Sequence, residues 1–157
     1  MMTKTLVANG ARKVYIVGRR AEKLSEAASL APDVIIPLQG DVTSRSSLKE
    51  IASKVQSEEG QVHLLICNSG LMGPVEPVKA TDADVEEFAS KALDSDMEWF
   101  TKTHEVNVTS VLWSAYAFLP LLAKGTKSGF LGGGVRSQII VTSSIAALHK
   151  GPGMSMA

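Results

Sequence analysis

Four clusters of polar or small residues in this chain each stand directly after a short apolar, β-branched run: Gly18-Arg19-Arg20, Gly40-Asp41-Val42, Asn68-Ser69-Gly70 and Ser143-Ser144-Ile145-Ala146. In an open parallel sheet, ligands bind beyond the carboxyl ends of the strands, so these are the positions where chemistry is expected. Guanidinium groups suit phosphates, and a serine hydroxyl can aim a donor at an oxygen on which negative charge develops. Other arrangements fail on spacing. His63, His104 and His149 are scattered without ligand spacing, and no metal site is expected. Gly132, Gly133 and Gly134 precede a strand, whereas a phosphate cradle opens into a helix N-terminus, so they read as a loop. No G-x-G-x-x-G occurs. Asn107-Val108-Thr109 matches a glycosylation acceptor only formally, since it falls inside a helical pattern.

The runs that position these clusters are residues 13–17, 34–38, 62–67 and 138–142. Each is nearly continuous in apolar residues rather than alternating, the pattern of strands covered on both faces of a parallel sheet. Helical patterns lie between them. In 47–58, Ser47 and Glu50 form a capping box, while Leu48, Ile51, Ala52 and Val55 fall on one stripe. Residues 21–30 read as a second helix, and 106–124 as a third with a kink at Pro120 and a stop at Gly125. Residues 124–136, with five glycines, read as a surface loop. Strand and helix alternate throughout, which predicts an α/β fold with a doubly wound parallel sheet. No internal repeat or linker divides the chain, so 1–157 is read as one partial dinucleotide-binding domain.

Composition narrows the function classes. The chain has 157 residues, 45% of them hydrophobic, with sixteen basic and sixteen acidic side chains and a formal net charge of zero. That is one domain's worth of core, with no overall electrostatic case for nucleic acid or an anionic membrane. Residues 80–98 hold seven acids against Lys91 alone and read as a solvated acidic helix, with Val85, Phe88 and Leu93 available to dock. The apolar stretch 111–123 falls short of a membrane span, and residues 1–13 show no signal-peptide core. Trp99, Phe100, Trp113, Tyr116 and Phe118 read as core or helix packing rather than a stacking platform for bases. The single cysteine, Cys67, leaves no internal disulfide and suits a reducing compartment, so a cytoplasmic location is expected.

In order and spacing the chain resembles the short-chain dehydrogenase/reductase family. That family reads strand, charged residue, helix, strand, Asp-Val, helix, strand, Asn-Asn-Ala-Gly, long helix with Asn, strand, Ser. The resemblance covers nearly all of the chain. Cys67-Asn68-Ser69-Gly70 departs from Asn-Asn-Ala-Gly at its first and third positions but keeps a small residue beside the glycine, so the backbone can still be approached closely. The resemblance implies a Rossmann-like fold and hydride transfer between NADP(H) and a small-molecule carbonyl or alcohol. It places Arg19 and Arg20 at the adenosine ribose, where guanidinium suits a 2′-phosphate, and Asp41 and Val42 beside the adenine. Asn68, Ser69 and Gly70 fall in the cofactor-binding loop. Asn107 matches the helix asparagine that organises a proton-relay water, and Ser144 the serine that hydrogen-bonds the substrate carbonyl. Bland readings stand beside these: Asp41 as a helix cap (a job Ser46 or Ser47 can also do), Ser144 as a turn cap, Asn107 bonding neighbouring backbone. The implied parent is a homo-oligomer with neither nucleic-acid nor membrane partners.

The family's glycine-rich turn after its first strand has no counterpart, since residues 1–10 read as the end of the helix that follows it. No Tyr-x-x-x-Lys follows Ser144. The chain is therefore expected to be an internal segment of a reductase, lacking the first strand and the C-terminal part of the fold and inactive alone. A narrower likeness runs to microbial and fungal 3-oxoacyl-carrier reductases. Two alternatives remain: a non-catalytic nucleotide-binding or interaction module, and a Rossmann-like methyltransferase, which usually carries an acid where Arg19 and Arg20 stand.

Overall fold

The computed structural model of the chain describes residues 2–73 and 84–144. They fall into two compact units that divide after Gly60.

In the first unit, helix α1 (Met2–Ala8) leads to strand β1 (Val14–Gly18), helix α2 (Ala21–Ala28), strand β2 (Ile35–Gln39) and helix α3 (Arg45–Glu59). The two strands pair in parallel, Val14 opposite Ile35 and Gly18 opposite Gln39. Parallel strands need a crossover, which α2 supplies. The amide of Gly40 donates to Gly18 O at 2.9 Å. Alternate amides of β2 therefore face β1, and the missing N–H of Pro37 falls on the other edge, where it costs no ladder bond. Val14, Leu24, Ile35, Leu38, Leu48, Ile51 and Val55 are buried, the last three being the expected stripe of α3. The capping box expected at Ser47 and Glu50 is replaced by a cap at Ser44, whose Oγ accepts from the Ser47 amide. The helix starts at Arg45, so Ser47 lies within its first turn and its hydroxyl accepts from the Asp41 amide instead. At the far end, Gly60 takes φ +72° and closes α3, the left-handed position that glycine occupies without a Cβ penalty.

The second unit runs from strand β3 (Leu64–Cys67) through helix α4 (Val85–Leu93) and helix α5 (Met97–His104). A π-helical turn, Glu105–Thr109, then joins α5 to helix α6 (Ser110–Lys127), and strand β4 (Gln138–Val141) follows. β3 and β4 pair in parallel, Leu64 opposite Gln138 and Cys67 opposite Val141. Asp96 caps α5, its carboxylate accepting from the amides of Glu98 and Trp99. Helix α6 buries Phe118, Leu121 and Leu122 and packs on both strands. Gly125 does not stop the helix as expected. It is a buried position inside it, where a Cβ would sit 2.2 Å from Val62 O; the missing side chain is what lets α6 touch the start of β3. The amide of Val62 reaches Leu121 O at 3.1 Å. From Met97 to Lys127 the helix is long and apolar enough to cross a membrane by length and composition, and a third of its most apolar window is buried in the molecule.

Two expectations of cover are not met. β4 is exposed along all four residues, although α6 packs on it. On α4, Val85 and Leu93 are exposed rather than docked. Trp113 and Tyr116 stack edge to face on the surface of α6, with ring centroids 5.8 Å apart.

Candidate functional site: the carboxyl ends of the parallel strands

In the first unit, β1 and β2 end side by side, and the segments that leave them form the first cluster. Gly18, Arg19, Arg20, Lys23 and Leu24 line an open cavity of about 620 Å³. Arg19 and Arg20 are exposed, and the Arg19 carbonyl accepts from Gln39 Nε2 at 3.0 Å, so the end of β2 fixes the backbone that carries both guanidinium groups. A Cβ on Gly18 would meet the Leu24 side chain at 3.4 Å, an ordinary packing distance. Asp41 does not cap α3. Its Oδ1 accepts from the Thr43 amide at 2.9 Å and the Thr43 hydroxyl at 2.7 Å, closing a turn that holds Asp41 and Val42, both half-buried, beyond β2. A Cβ on Gly40 would lie 2.5 Å from Ile51 Cδ1 and 2.7 Å from Ser47 Oγ, so a larger residue here would displace both side chains.

In the second unit the cluster beyond β3 is held from two directions. Asn68 Oδ1 accepts from Thr142 Oγ1 at 2.9 Å, and the Thr142 amide donates to Cys67 O at 3.0 Å. Asn107 projects from the π-helical turn and holds the peptide of Leu71 on both sides. Its Oδ1 accepts from the Leu71 amide and its Nδ2 donates to the Leu71 carbonyl, each at 2.8 Å. A π turn admits one extra residue into the helix and is found often at functional sites. The reading of Asn107 as bonding neighbouring backbone is thus corrected, since Leu71 is 36 positions away. The amide clamp fixes the exit of the loop Asn68-Ser69-Gly70, which is exposed. Gly70 fits beneath it, a Cβ coming within 3.4 Å of Asn107 Oδ1. Burial pushes the Cys67 thiol above its ordinary range, which makes it a poor nucleophile at neutral pH. Ser143 and Ser144 follow β4 and are exposed; Ile145 and Ala146 lie outside the described residues.

Sequence reasoning missed three contributors. Lys23 stands three residues beyond Arg20 at helical spacing, a signal that a basic triad could have given. Thr142 and Gln39 lie at strand ends, where the register alone brings them to the neighbouring segment. Among the described residues, no group of three or more His, Cys, Asp or Glu could hold a metal ion.

In each unit, parallel strands with polar segments leaving their carboxyl ends make an α/β arrangement of the kind that binds ligands at those ends. Residues 1–156 match the family model described as short chain dehydrogenase. The chain is 37% identical over 161 residues to the short-chain dehydrogenase/reductase SAT3 of Stachybotrys chartarum, covering 95% of this chain and 59% of that protein. It is 40% identical over 155 residues to the short-chain dehydrogenase/reductase PhomF of Diaporthe leptostromiformis, covering 97% and 52%. Among solved structures, the RhlG/NADP active-site complex of Pseudomonas aeruginosa superposes with a TM-score of 0.76 at 21% identity, covering 98% of this chain and 53% of that one. Serine dehydrogenase of Escherichia coli gives 0.74 at 22%, covering 99% and 60%. The chain belongs to the short-chain dehydrogenase/reductase family, which consists of oxidoreductases that use a nicotinamide cofactor. It spans between half and three fifths of the length of these relatives. Membership decides against the methyltransferase reading, and the fold is part of the family's Rossmann architecture.

Proposed function

We propose that the protein is a reductase that moves hydride between NADP(H) and a small-molecule carbonyl or alcohol, the whole chain forming part of one dinucleotide-binding domain. The observation that carries the choice of NADP(H) is the cavity directly beyond β1, whose three charged lining side chains are all cations. A 2′-phosphate offers the dianionic oxygens that a guanidinium pair binds best. In this reading Arg19 and Arg20 hold that phosphate, and Asp41 and Val42 flank the adenine. The loop Asn68-Ser69-Gly70, clamped by Asn107, borders the cofactor. Ser144 donates to the substrate oxygen as charge builds there, which is where an aimed donor lowers the barrier. The cofactor supplies the hydride; the chain supplies binding, orientation and the hydroxyl.

The test is the ratio of kcat/KM for NADPH to that for NADH after replacing Arg19 and Arg20 by Ala in the full-length protein. A charge-assisted contact of about 1.5–3 kcal/mol corresponds to a loss of preference of roughly ten- to hundredfold. An unchanged ratio overturns the cofactor assignment.

A further inference from the structure

Lys23 lines the same cavity as Arg19 and Arg20 but is engaged elsewhere. Its Nζ donates to Glu26 Oε2 at 2.8 Å, an i,i+3 pair along α2. Both side chains are largely exposed, at 60% and 70%, so water screens the pair and it is readily exchanged. The lysine has a flexible four-carbon stem and three rotatable donors, rooted in the first turn of α2 on the wall of the cavity. The arginines stand on the segment fixed by Gln39. A dianion placed in the cavity would offer the ammonium twice the charge of one carboxylate. It would also meet Glu26, a like charge three residues away.

We propose that Lys23 is a specificity-determining residue for the 2′-phosphate, exchanging Glu26 for the phosphate when NADP(H) binds, and that Glu26 sets how much of the preference is expressed. The inference rests on the reading of Arg19 and Arg20 as the 2′-phosphate site and adds to it a competitor within the chain. A free 2′-phosphate releases Lys23 from Glu26, whereas a ribose 2′-hydroxyl leaves the pair intact. The two residues therefore act on the difference between the cofactors and not on what the cofactors share.

The experiment is calorimetric titration of the full-length protein with adenosine 2′,5′-bisphosphate and with 5′-AMP, two probes that differ only at the 2′ position and need no turnover. Lys23→Met keeps the apolar stem. It is expected to weaken the bisphosphate by about two- to fivefold, the scale of one exposed ionic contact, and to leave 5′-AMP unchanged. Glu26→Gln is expected to tighten the bisphosphate by about two- to threefold, again with 5′-AMP unchanged, and raising the salt concentration should shrink both effects. If Lys23→Met leaves the bisphosphate unchanged while the Arg19→Ala, Arg20→Ala variant loses the preference, the role of Lys23 is overturned and the arginine site stands. If Lys23→Met weakens both probes equally, its role is structural and the inference is overturned. If the arginine variant keeps the preference, or the wild type binds neither probe, the cofactor reading fails and this inference with it.

Discussion

The contact between α6 and the start of β3 makes a sharp prediction because two effects of opposite sign meet at Gly125. Glycine inside a helix is unfavourable, and by propensity alone Gly125→Ala should stabilise α6 by about 1 kcal/mol. Against this, the new Cβ would stand 2.2 Å from Val62 O, 2.9 Å from Val62 C and 2.7 Å from Ser137 Oγ. Two of those atoms are backbone and cannot rotate away. Relief requires α6 and β3 to part by about an ångström, the shortfall from ordinary contact distance. That movement strains three hydrogen bonds: Val62 N to Leu121 O at 3.1 Å, Ser137 Oγ to Val62 O at 3.0 Å, and Ser137 N to Thr126 Oγ1 at 3.0 Å. Overpacking costs about 1–3 kcal/mol and each lost bond about 0.5–1.5 kcal/mol. With all three bonds lost and the propensity gain subtracted, a net loss of about 1.5–6.5 kcal/mol remains. At about 2–4 °C per kcal/mol that lowers Tm by roughly 3–26 °C.

Urea denaturation and thermal melts of Gly125→Ala in the full-length protein would be read beside Ala123→Gly, an exposed position in the same helix that reports propensity alone at about 1 kcal/mol. If Gly125→Ala stabilises the protein by the amount that Ala123→Gly destabilises it, the close approach has no energetic content and the reasoning fails.

Asn107→Asp removes the donor to the Leu71 carbonyl and sets a carboxylate against it, so a loss of about 1–3 kcal/mol is expected in urea denaturation; a midpoint equal to wild type refutes the clamp. Ser144→Ala is expected to lower turnover by about a hundredfold or more with cofactor affinity nearly unchanged, and Ser143→Ala to do less; equal effects from both move the role away from Ser144. The 157-residue chain expressed alone is expected to show weak hydrogen-exchange protection at Val14–Gly18 and Leu64–Cys67 and no NADPH oxidation on a carbonyl panel, because two-stranded sheets are marginal. Strong protection at both strands in a soluble monomer refutes the folding part of that expectation, and turnover above background the activity part.

Strand positions were legible to within a residue or two because a strand meant for the middle of a sheet is written as an unbroken apolar run, as in Lys13-Val14-Tyr15-Ile16-Val17. What escaped was any choice among residues of equal type. Ser44, Ser46 and Ser47 can all cap a helix, and only the start at Arg45 selects Ser44. Gly125 resembles a helix stop because glycine is common there, yet its absent Cβ answers a strand 63 positions earlier in the chain. The π turn at Asn107 leaves no compositional mark, since Glu-Val-Asn-Val-Thr fits an ordinary helix. Val85 and Leu93 have helical spacing and remain exposed, because spacing states which residues share a face and not whether anything covers it.

Strand ends gather the polar segments for a reason the register makes concrete. Parallel partners end on the same side, so the first residue beyond one strand stands level with the last or next residue of its neighbour. Gly18 faces Gln39, and the Gln39 side chain then reaches Arg19 O. Cys67 faces Val141, and Thr142, one step on, holds both Cys67 O and Asn68 Oδ1. In each sheet a polar side chain at the end of one strand pins the segment leaving the other, at the place where side chains are free of the ladder and backbone direction changes. An antiparallel pair would put those two ends on opposite sides and lose both contacts. The placement of Arg19, Arg20 and Asn68 therefore inherits its geometry from strand direction, and strand direction from the length of the helical crossover between the paired runs.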